Sequence, residues 1–357
     1  MNDIRRVALS TGGGDAPGLN AVIRAAVMAG LNHDWEMLGI RKGFDGLLGN
    51  GDVTRLDRES VRGITHLGGT ILGTTNRGNP FDWPVEGPDG TITKVDRSRE
   101  LIDSIQRLGI DAIIAIGGDG TLRIAQRLCD LGVPIVGVPK TIDNDLAATS
   151  VTFGFHTAVQ TATDAIDRLH STAESHERVM VVELMGRDTG WIALFAGVSS
   201  TADIILIPEI PFDFDAVCRK VEGRWAVGRR FAIVVVAEGA HAAGDDAETT
   251  APGRYGGIGE KVAREIAERT GHETRALVLG HLQRGGSPTA YDRLIALRFG
   301  AAATRFVAEG RFGHMVALDP PEVRAVPISD AVSEVKRVPV DGDVVATARA
   351  LGIGFGD

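Results

Sequence analysis

The sequence predicts an α/β fold in which two lobes with largely parallel sheets surround a cleft. Short apolar, β-branched runs alternate with helix-length segments along most of the chain, a rhythm typical of strands joined by crossover helices. The length of 357 residues exceeds one average domain, and doubly wound proteins of this size usually divide in two. With 43% hydrophobic residues, the composition supplies material for a large core.

The first half of the chain supplies the clearest strand and helix signals. The run RRVALS predicts a strand, and a helical pattern from Leu19 to Leu31 follows it. The run WEMLGI predicts the next strand. A helix from Arg99 to Leu108 precedes the strand DAIIAIGG, and a helix from Leu122 to Leu131 precedes the strand VPIVGVP. This alternation predicts neighbouring parallel strands.

The same rhythm resumes after Thr157 with a helix to about Leu169. The runs RVMVVEL, ADIILIP, FAIVVVAEG and RALVLGH follow as predicted strands. We therefore expect one lobe of residues 1–154 with about 288–338, and a second of residues 155–287 with about 339–357. Two stretches without a clear period, NRGNPFDWPVEGPDG and AHAAGDDAETTAPGRYGG, are predicted to be loops.

Charge and cysteine content exclude several functional classes. The net charge of -9 and the lack of a basic block disfavour binding to nucleic acid, so any anion site must be local. Cys129 and Cys218 are far apart in sequence, which fits reduced thiols better than a disulfide framework. The start MNDIRRVALSTGGGD resembles neither a secretory signal nor a membrane span, so we expect a cytoplasmic protein without a membrane partner.

Three turns rich in glycine or acidic residues follow predicted strands. The first is STGGGDAPGLN, the second is IGGDGT, and the third is VPKTIDNDL, which contains Asp143 and Asp145. Glycine turns let backbone N–H groups approach an anion, and helix N-termini favour negative charge. Three such turns in succession are hard to explain as turn chemistry alone. They predict a phosphoryl-transfer site, although neither glycine pattern is a Walker A loop or a dinucleotide fingerprint.

Asp119 is the acidic residue of the second turn and stands among three glycines. A carboxylate at this place is able to reach Mg²⁺ on a bound nucleotide, while Gly118 and Gly120 keep the nucleotide path open. A helix cap is the alternative role for Asp119 taken alone.

The motifs GGDAPGLN, IGGDGT, PKTIDND, VVELMGR and TRALVLGHLQRGGSP, in this order, closely resemble those of the 6-phosphofructokinase family. The resemblance covers roughly Ile4 to Met315, and PxTIDND and LGHxQRGG are its most specific parts. It implies two Rossmann-like lobes with the active site in the cleft between them. It also implies transfer of a phosphoryl group from ATP, with Mg²⁺, to the 1-hydroxyl of fructose 6-phosphate in glycolysis, giving fructose 1,6-bisphosphate and ADP.

The resemblance also assigns roles to individual residues. Asp143 matches the catalytic base, with Thr141 beside the transferred group, Arg187 stabilising it and Asp145 as a supporting acid. Asp119 matches the magnesium-linked aspartate. The positions implied to line the phosphate donor are Gly14, Arg77, Gly118, Gly120, Thr121 and Lys140, and a solvated loop arginine is the alternative for Arg77.

The sugar phosphate is implied to contact Thr141, Asp143, Arg178, Met185, Gly186, Arg187, Glu238, Arg275, His281 and Arg284. Of these, Arg178 and Arg275 are expected to come from a neighbouring subunit. The resemblance therefore implies a homo-oligomer, a tetramer or at least a dimer. Taken alone, His281 would more often be a packed or solvent-facing histidine, and Glu238 a strand-end acid facing water.

Two positions bear on the identity of the donor. Pyrophosphate users of the resembling family typically carry an acid after GGD and a lysine in PKTIDND, whereas many short bacterial ATP users carry glycine at both places. This chain has Gly120 and Lys140. We give Gly120 more weight, because a carboxylate there would crowd and repel the nucleotide α-phosphate, whereas Lys140 is compatible with either donor. ATP is therefore predicted, with a pyrophosphate-dependent enzyme as the alternative.

A third hypothesis is a catalytically silent sugar-phosphate-binding or regulatory subunit. Such a subunit should have lost its base or its metal-linked acid. Because Asp119, Asp143 and Arg187 are all present, the sequence favours an enzyme.

Overall fold

The structure is a computed structural model that describes residues 4–48, 51–75, 78–87, 89–251 and 254–357. The strands are β1 Arg6–Thr11, β2 Glu36–Ile40, β3 Val53–Leu56, β4 Trp83–Glu86, β5 Ile92–Val95, β6 Ala112–Gly117, β7 Ile135–Thr141, β8 Phe153–Gly154, β9 Val179–Leu184, β10 Ile204–Leu206, β11 Ala232–Ala237, β12 Thr249–Ala251, β13 Arg254–Tyr255, β14 Thr274–Val278, β15 His314–Asp319 and β16 Glu322–Pro327.

The helices are α1 Leu19–Leu31, α2 Ser98–Arg107, α3 Asp119–Asp130, α4 Phe155–His176, α5 Trp191–Ser199, α6 Phe214–Ala226, α7 Ile258–Thr270, α8 Ala290–Ala308, α9 Ile328–Ala331 and α10 Asp343–Ala350. Short 3₁₀ helices cover Gly43–Leu47 and Gly280–Gln283. The alternation of strands and helices confirms the predicted α/β class.

The chain divides into two compact units. The first comprises the described residues up to Thr141 together with Leu146–Gly154 and Arg284–Val335. The second comprises Ile142–Asp145, Phe155–Gln283 and Lys336–Asp357. The short segment 142–145 thus belongs to the second unit, although it lies inside the range expected for the first lobe.

The first unit is built on a sheet with the strand order β16-β15-β7-β6-β1-β2-β3, and β8 pairs with β7. The pairs around β1, β6 and β7 are parallel, whereas β3 and β16 pair antiparallel to their neighbours at the two edges. Because β1, β6 and β7 are adjacent and parallel, the turns that follow them lie at one edge of the sheet.

The central strands of this sheet are buried along their whole length, and they are apolar except for Lys140 and Thr141 at the end of β7. Every residue of β6 and of β7 is buried. Strands that are covered by helices on both faces are near-continuous runs of β-branched and aliphatic residues, which explains the sequences AIIAIG and IVGVPKT. Ile113 and Ile135 pack with Leu122 and Leu128 of α3 in one buried cluster. This packing fixes the start of α3 beside the strand ends.

The second unit has a smaller sheet with the order β10-β11-β9-β14, in which all pairs are parallel. Helix α7 buries Ile258, Val262 and Ile266, which are spaced by four residues and form one face. The carboxyl ends of β9 and β11 lie side by side, with Leu184 opposite Ala237. The loops that follow these two strands are therefore neighbours.

The two predicted loops contain short strands, so the loop prediction was wrong for parts of both. Strands β4 and β5 pair antiparallel within and just after the first stretch, and β12 and β13 pair within the second. Nearly all residues of β4 and β5 are exposed, so these strands have no buried face and show no alternation of apolar and polar residues. Hydrophobic patterning of the sequence therefore does not predict β4 and β5.

Cys129 and Cys218 are free thiols, as predicted. Among the described residues, no helix combines the length and the apolar character that a bilayer crossing requires.

Helices α1 and α8 of the first unit approach each other closely at Gly300. A β-carbon at this position would lie 2.5 Å from the carbonyl oxygen of Val22 and 2.8 Å from the Cβ of Ala25. These are backbone and short side-chain atoms, which have little freedom to move away. Glycine at 300 is therefore required by the packing of the two helices.

We expect Gly300→Ala to lower the free energy of unfolding by about 1–3 kcal/mol, because the added methyl group forces the helices apart. Gly223 in α6 is the matched control, since a β-carbon there meets no atom within 4 Å. Gly223→Ala should raise the free energy of unfolding by roughly 0.5–1 kcal/mol through helix propensity. Urea denaturation of both variants measures the difference, and equal effects at the two positions would contradict the packing argument.

Candidate functional site

The carboxyl ends of β1 and β6 meet the first turn of α3 without intervening side chains. The N–H of Gly12 donates to the carbonyl of Ile116 at 3.0 Å, which joins the two strand ends. A β-carbon at Gly12 would lie 2.6 Å from Oγ1 of Thr121, and one at Gly117 would clash with the same side chain. Glycine at both positions therefore allows Thr121 to pack directly on the two strands. The N-terminus of α3 and the glycine turn are therefore close enough for both to bind the same anion.

Two cationic side chains contact the first glycine turn. Lys140 at the end of β7 is 3% exposed, and its ammonium donates to the carbonyl oxygen of Gly14. Arg284 donates from Nη1 to the carbonyl oxygen of Asp15 at 3.3 Å. A β-carbon at Gly14 would lie only 2.8 Å from the same Nη1. The sequence assigned Lys140 and Arg284 to different ligands, and the structure places both on one turn. They supply the local positive charge that an anion site needs in an acidic protein.

Asp119 is the first residue of α3 and follows Gly118, the N-cap residue. Its carboxylate accepts from Nε of Arg123 at 2.9 and 3.0 Å, so it is not the helix cap. Both side chains of this ion pair are about half exposed, and such pairs contribute little to stability. The carboxylate is therefore able to exchange Arg123 for another cation at small cost.

The single carboxylate of Asp119 fits a Mg²⁺ ion that binds together with a nucleotide. Among the described residues, no three histidine, cysteine or acidic side chains cluster in a way that could hold a metal ion. Mg²⁺ in phosphoryl-transfer sites commonly uses one or two carboxylates together with substrate phosphates, so a dedicated protein cage is not required. Asp119, beside a turn with backbone N–H groups and two cations, meets that requirement.

Gly120 has no structural reason to be glycine. It lies in the first turn of α3, and a β-carbon there would meet no atom within 4 Å. Alanine in a helix is more favourable than glycine by roughly 0.5–1 kcal/mol, so the fold alone would favour a side chain at this position. The open space is therefore better explained by a ligand than by packing.

The turn 142–145 of the second unit holds two aspartates on either side of Asn144. Asp143 and Asn144 are each 4% exposed, and Asn144 is in the left-handed region with φ 54°. The hydroxyl of Thr189, itself fully buried, donates to the carbonyl of Asp143 at 3.2 Å. Asp143 thus has a fixed backbone and a buried side chain, as a positioned base requires.

The loop Met185–Arg187 follows β9 and is held by Glu238. Gly186 has φ 152° and Arg187 has φ 53°, both in the region that favours glycine. The carboxylate of Glu238 accepts from the N–H of Gly186 at 3.3 Å and from that of Arg187 at 3.0 Å. Burial raises the pKa of Glu238, the nearby charge of Asp143 adds to the rise, and the two N–H donors oppose it. The structure thus brings Asp143, Arg187 and Glu238 together within one unit.

Several residues that support this loop escaped the sequence analysis. Tyr255 donates its hydroxyl to Oδ1 of Asp188 at 2.5 Å, and Arg337 donates to the carbonyl of Asp188 at 3.1 Å. The buried carboxylate of Glu183 accepts from the N–H groups of Gly257 and Gly259 at 3.2 and 2.8 Å. Glu183 lies in the motif VVELMGR but received no role there, and Tyr255 lies in a stretch predicted to be a loop. Only the folded chain reveals them.

The second unit does not bring all predicted sugar-phosphate residues together. Arg178 and Arg275 both pair with Glu273, at 2.9 and 2.5 Å, where β9 and β14 begin. Glu238 follows the carboxyl end of β11, beside the end of β9. The six residues of β9 span roughly 20 Å. Arg178 and Arg275 at the amino end of the sheet are therefore that far from Glu238 at its carboxyl end.

His281 lies in the 3₁₀ helix after β14 and is exposed. It is thus at the same end of the sheet as Glu238, because β14 runs parallel to β9. Arg77 lies outside the described residues.

Comparisons with known proteins agree with this arrangement. A family model described as phosphofructokinase matches residues 6–307. The ATP-dependent 6-phosphofructokinase of Chloroflexus aggregans is 52% identical over 355 residues, covering 99% of this chain and 98% of the relative. The pyrophosphate–fructose 6-phosphate 1-phosphotransferase of Amycolatopsis mediterranei is 52% identical over 345 residues, covering 94% and 97%.

A solved structure adds a likeness in fold. The phosphofructokinase of Pichia pastoris in the T-state superposes with a TM-score of 0.80 at 30% identity, covering 99% of this chain and 37% of that longer chain. With the family model matching most of the chain, the sequence relatives and this structural match agree. The chain therefore belongs to the phosphofructokinase family.

Proposed function

We propose that this chain is an ATP-dependent 6-phosphofructokinase of the cytoplasm that acts in glycolysis. It transfers the terminal phosphoryl group of ATP to the 1-hydroxyl of fructose 6-phosphate, giving fructose 1,6-bisphosphate and ADP. The main support for the proposal is the position of the residues at the end of β7 and just after it. Lys140 and Thr141 end this strand beside the glycine turn, and Asp143 follows two residues later, buried and held by Thr189. The names of the relatives support the same reaction.

The first unit provides the groups for the donor. The glycine turn at Gly14, the positions Gly118 and Gly120 and the N-terminus of α3 with Thr121 present backbone N–H groups to the phosphates. Lys140 and Arg284 add positive charge at the same turn. Asp119 would hold Mg²⁺, which when bound neutralises charge on the donor phosphates.

The second unit provides the groups for the acceptor. Asp143 accepts the proton of the 1-hydroxyl as the oxygen attacks the terminal phosphorus, and the bond to the ADP oxygen breaks. Arg187 stabilises the charge on the transferring group together with Thr141 of the first unit, and Asp145 is a supporting acid. Glu238 keeps Gly186 and Arg187 in their left-handed conformations and, with Met185 and His281, contacts the sugar phosphate. Burial strengthens the interactions of Asp143 and Thr141, which are 4% and 6% exposed.

The role of Asp143 is tested by Asp143→Ser. Without a base, kcat should fall by about 10² to 10⁴, because a positioned base usually contributes that much. Fructose 6-phosphate binding should stay within a few-fold of wild type, since the phosphate contacts remain. A coupled assay for fructose 1,6-bisphosphate and calorimetric binding measure the two effects. A wild-type protein that forms no product with Mg²⁺ and either donor would refute the proposed function itself.

Pyrophosphate is the second candidate donor, because Lys140 is typical of its users and a relative of equal identity is named for it. The open space at Gly120 supports ATP, because it leaves room for the nucleotide phosphate. Gly120→Asp should lower kcat/KM for ATP by at least about tenfold, equivalent to about 1.4 kcal/mol, by crowding and repelling the nucleotide phosphate. Gly120→Ala adds bulk without charge and is the control. A wild-type kcat/KM that favours pyrophosphate over ATP would overturn the ATP assignment.

We infer that Arg178 and Arg275 act across a subunit interface of a homo-oligomer, with a tetramer as the expected state. Their separation from Glu238 along the strands, about 20 Å, is too large for one sugar phosphate to contact both ends. Arg178 and Arg275 can leave their shared partner Glu273 for a phosphate, because the Glu273 side chain is 43% exposed and such partly exposed ion pairs contribute little to stability.

Mixing subunits tests this inference. Asp143→Ser and Arg178→Ala homo-oligomers should each be nearly inactive, whereas hybrids should regain part of the activity, because some sites receive both intact halves. Mixing Asp143→Ser with Arg187→Ala is the matched control, since both changes lie in the same half of the site and no intact site forms. Equal recovery in the two mixtures, or none in verified hybrids of the first, would contradict a shared site.

A further inference from the structure

Lys336 contacts the turn that carries Asp143, although no sequence motif includes it. Its backbone N–H donates to the carbonyl of Asp145 at 2.9 Å. Its ammonium donates to Oδ1 of Asn144 at 3.0 Å, across a sequence separation of 192 residues. One residue therefore holds the turn 142–145 through both its backbone and its side chain, and all three partners belong to the second unit.

The position of Lys336 is itself fixed by neighbouring side chains. The indole Nε1 of Trp191 donates to the carbonyl of Lys336 at 2.7 Å, and the ammonium lies 5.7 Å from the centroid of the Trp191 ring. Burial lowers the pKa of Lys336 to about 8, and the charge of Asp145 opposes this fall. A buried ammonium that donates to Asn144 and lies over the Trp191 ring has little freedom to rotate, so it restrains the side chain that it binds.

Asn144 is the residue through which such a restraint would act. It separates Asp143 from Asp145, and its left-handed conformation sets the direction in which the chain leaves Asp143. Asparagine tolerates this conformation better than most residues but does not require it. On the other side of the turn, Thr189 holds the carbonyl of Asp143. Lys336 and Thr189 thus fix the turn from its two ends.

We propose that Lys336 is a positioning residue for phosphoryl transfer, which holds Asn144 in its left-handed conformation and thereby aims the Asp143 carboxylate. This inference rests on the proposed function. Lys336 is not placed as a ligand of either substrate, because its ammonium is directed at Asn144 and the Trp191 ring. Its loss should therefore affect the chemical step rather than the binding of fructose 6-phosphate.

Lys336→Met removes the ammonium and keeps a side chain of similar volume. We expect kcat to fall about ten- to a hundredfold, the effect of a slightly misplaced catalytic group, with KM for fructose 6-phosphate within about threefold of wild type. Lys336→Arg, which keeps a charged donor, should regain part of the lost kcat. Lys220→Met is the control, because Lys220 is a lysine of the same unit that holds a backbone carbonyl, that of Gly352, away from the turn. It should leave kcat unchanged.

Double variants separate positioning from a general structural role. In the Asp143→Ser background, Lys336→Met should cause no further loss of kcat, because the group that it aims is already missing. Asn144→Gly permits the left-handed backbone without the side-chain acceptor, and it should lower kcat as Lys336→Met does. It also serves in place of Lys336→Met if that variant fails to fold. Losses that add fully in the Asp143→Ser background, or a wild-type kcat in Asn144→Gly, would overturn the proposal.

A measurement without turnover distinguishes this inference from the function on which it rests. Hydrogen–deuterium exchange of the peptide covering 142–146 should be faster in Lys336→Met than in wild type and unchanged in Lys220→Met. Faster exchange in Lys336→Met, together with a wild-type protein that has no phosphofructokinase activity, would leave the contact standing and refute the function. Unchanged exchange in Lys336→Met, with an active wild type, would refute the positioning role alone.

Discussion

The candidate donor site depends on the packing of Thr121 against two glycines. Thr121 occupies the space that a β-carbon at Gly12 or Gly117 would need. Any side chain at either glycine would push the first turn of α3 away from the ends of β1 and β6. The glycine turn would then lose the helix N-terminus beside it, and Asp119 would move with the helix. Close packing here determines the chemistry that the surrounding residues are able to perform.

Positive charge is added to this arrangement by residues distant in sequence. Lys140 reaches the turn from β7, which is separated from β1 by β6, and Arg284 reaches it from a segment more than half the chain away. A protein with a net charge of -9 repels anions at long range, so both side chains must act at contact distance. The two cations are anchored on backbone carbonyls, which leaves their charge available to a ligand.

The sequence predicts the parts of the fold and site that depend on local patterns. Helix α1 spans Leu19–Leu31 as its periodicity indicates, and β1, β6 and β7 follow their apolar runs. Their adjacency could be predicted because parallel strands joined by helices form one sheet with all carboxyl ends at one edge. The turns that carry Gly14, Asp119 and Asp143 were therefore predicted to form one site without knowledge of the structure.

Contacts between distant segments could not be predicted in this way. Lys336 has no periodic or motif signal, and its partner Asn144 is 192 residues away. The hairpins β4–β5 and β12–β13 have few buried residues, so they leave no alternation in the sequence. Hydrophobic patterning records which residues face the core, and it contains no information about which polar side chains meet across the fold.

The open space at Gly120 allows a side chain to be added there without a change in the fold. A β-carbon at this position meets no atom within 4 Å, and a helix favours alanine over glycine, so substitution there does not threaten folding. Two relatives of this chain, each 52% identical to it, are named for different phosphoryl donors. The packing of β1, β6 and α3 therefore does not depend on which residue stands at position 120, and the architecture leaves this position open to variation.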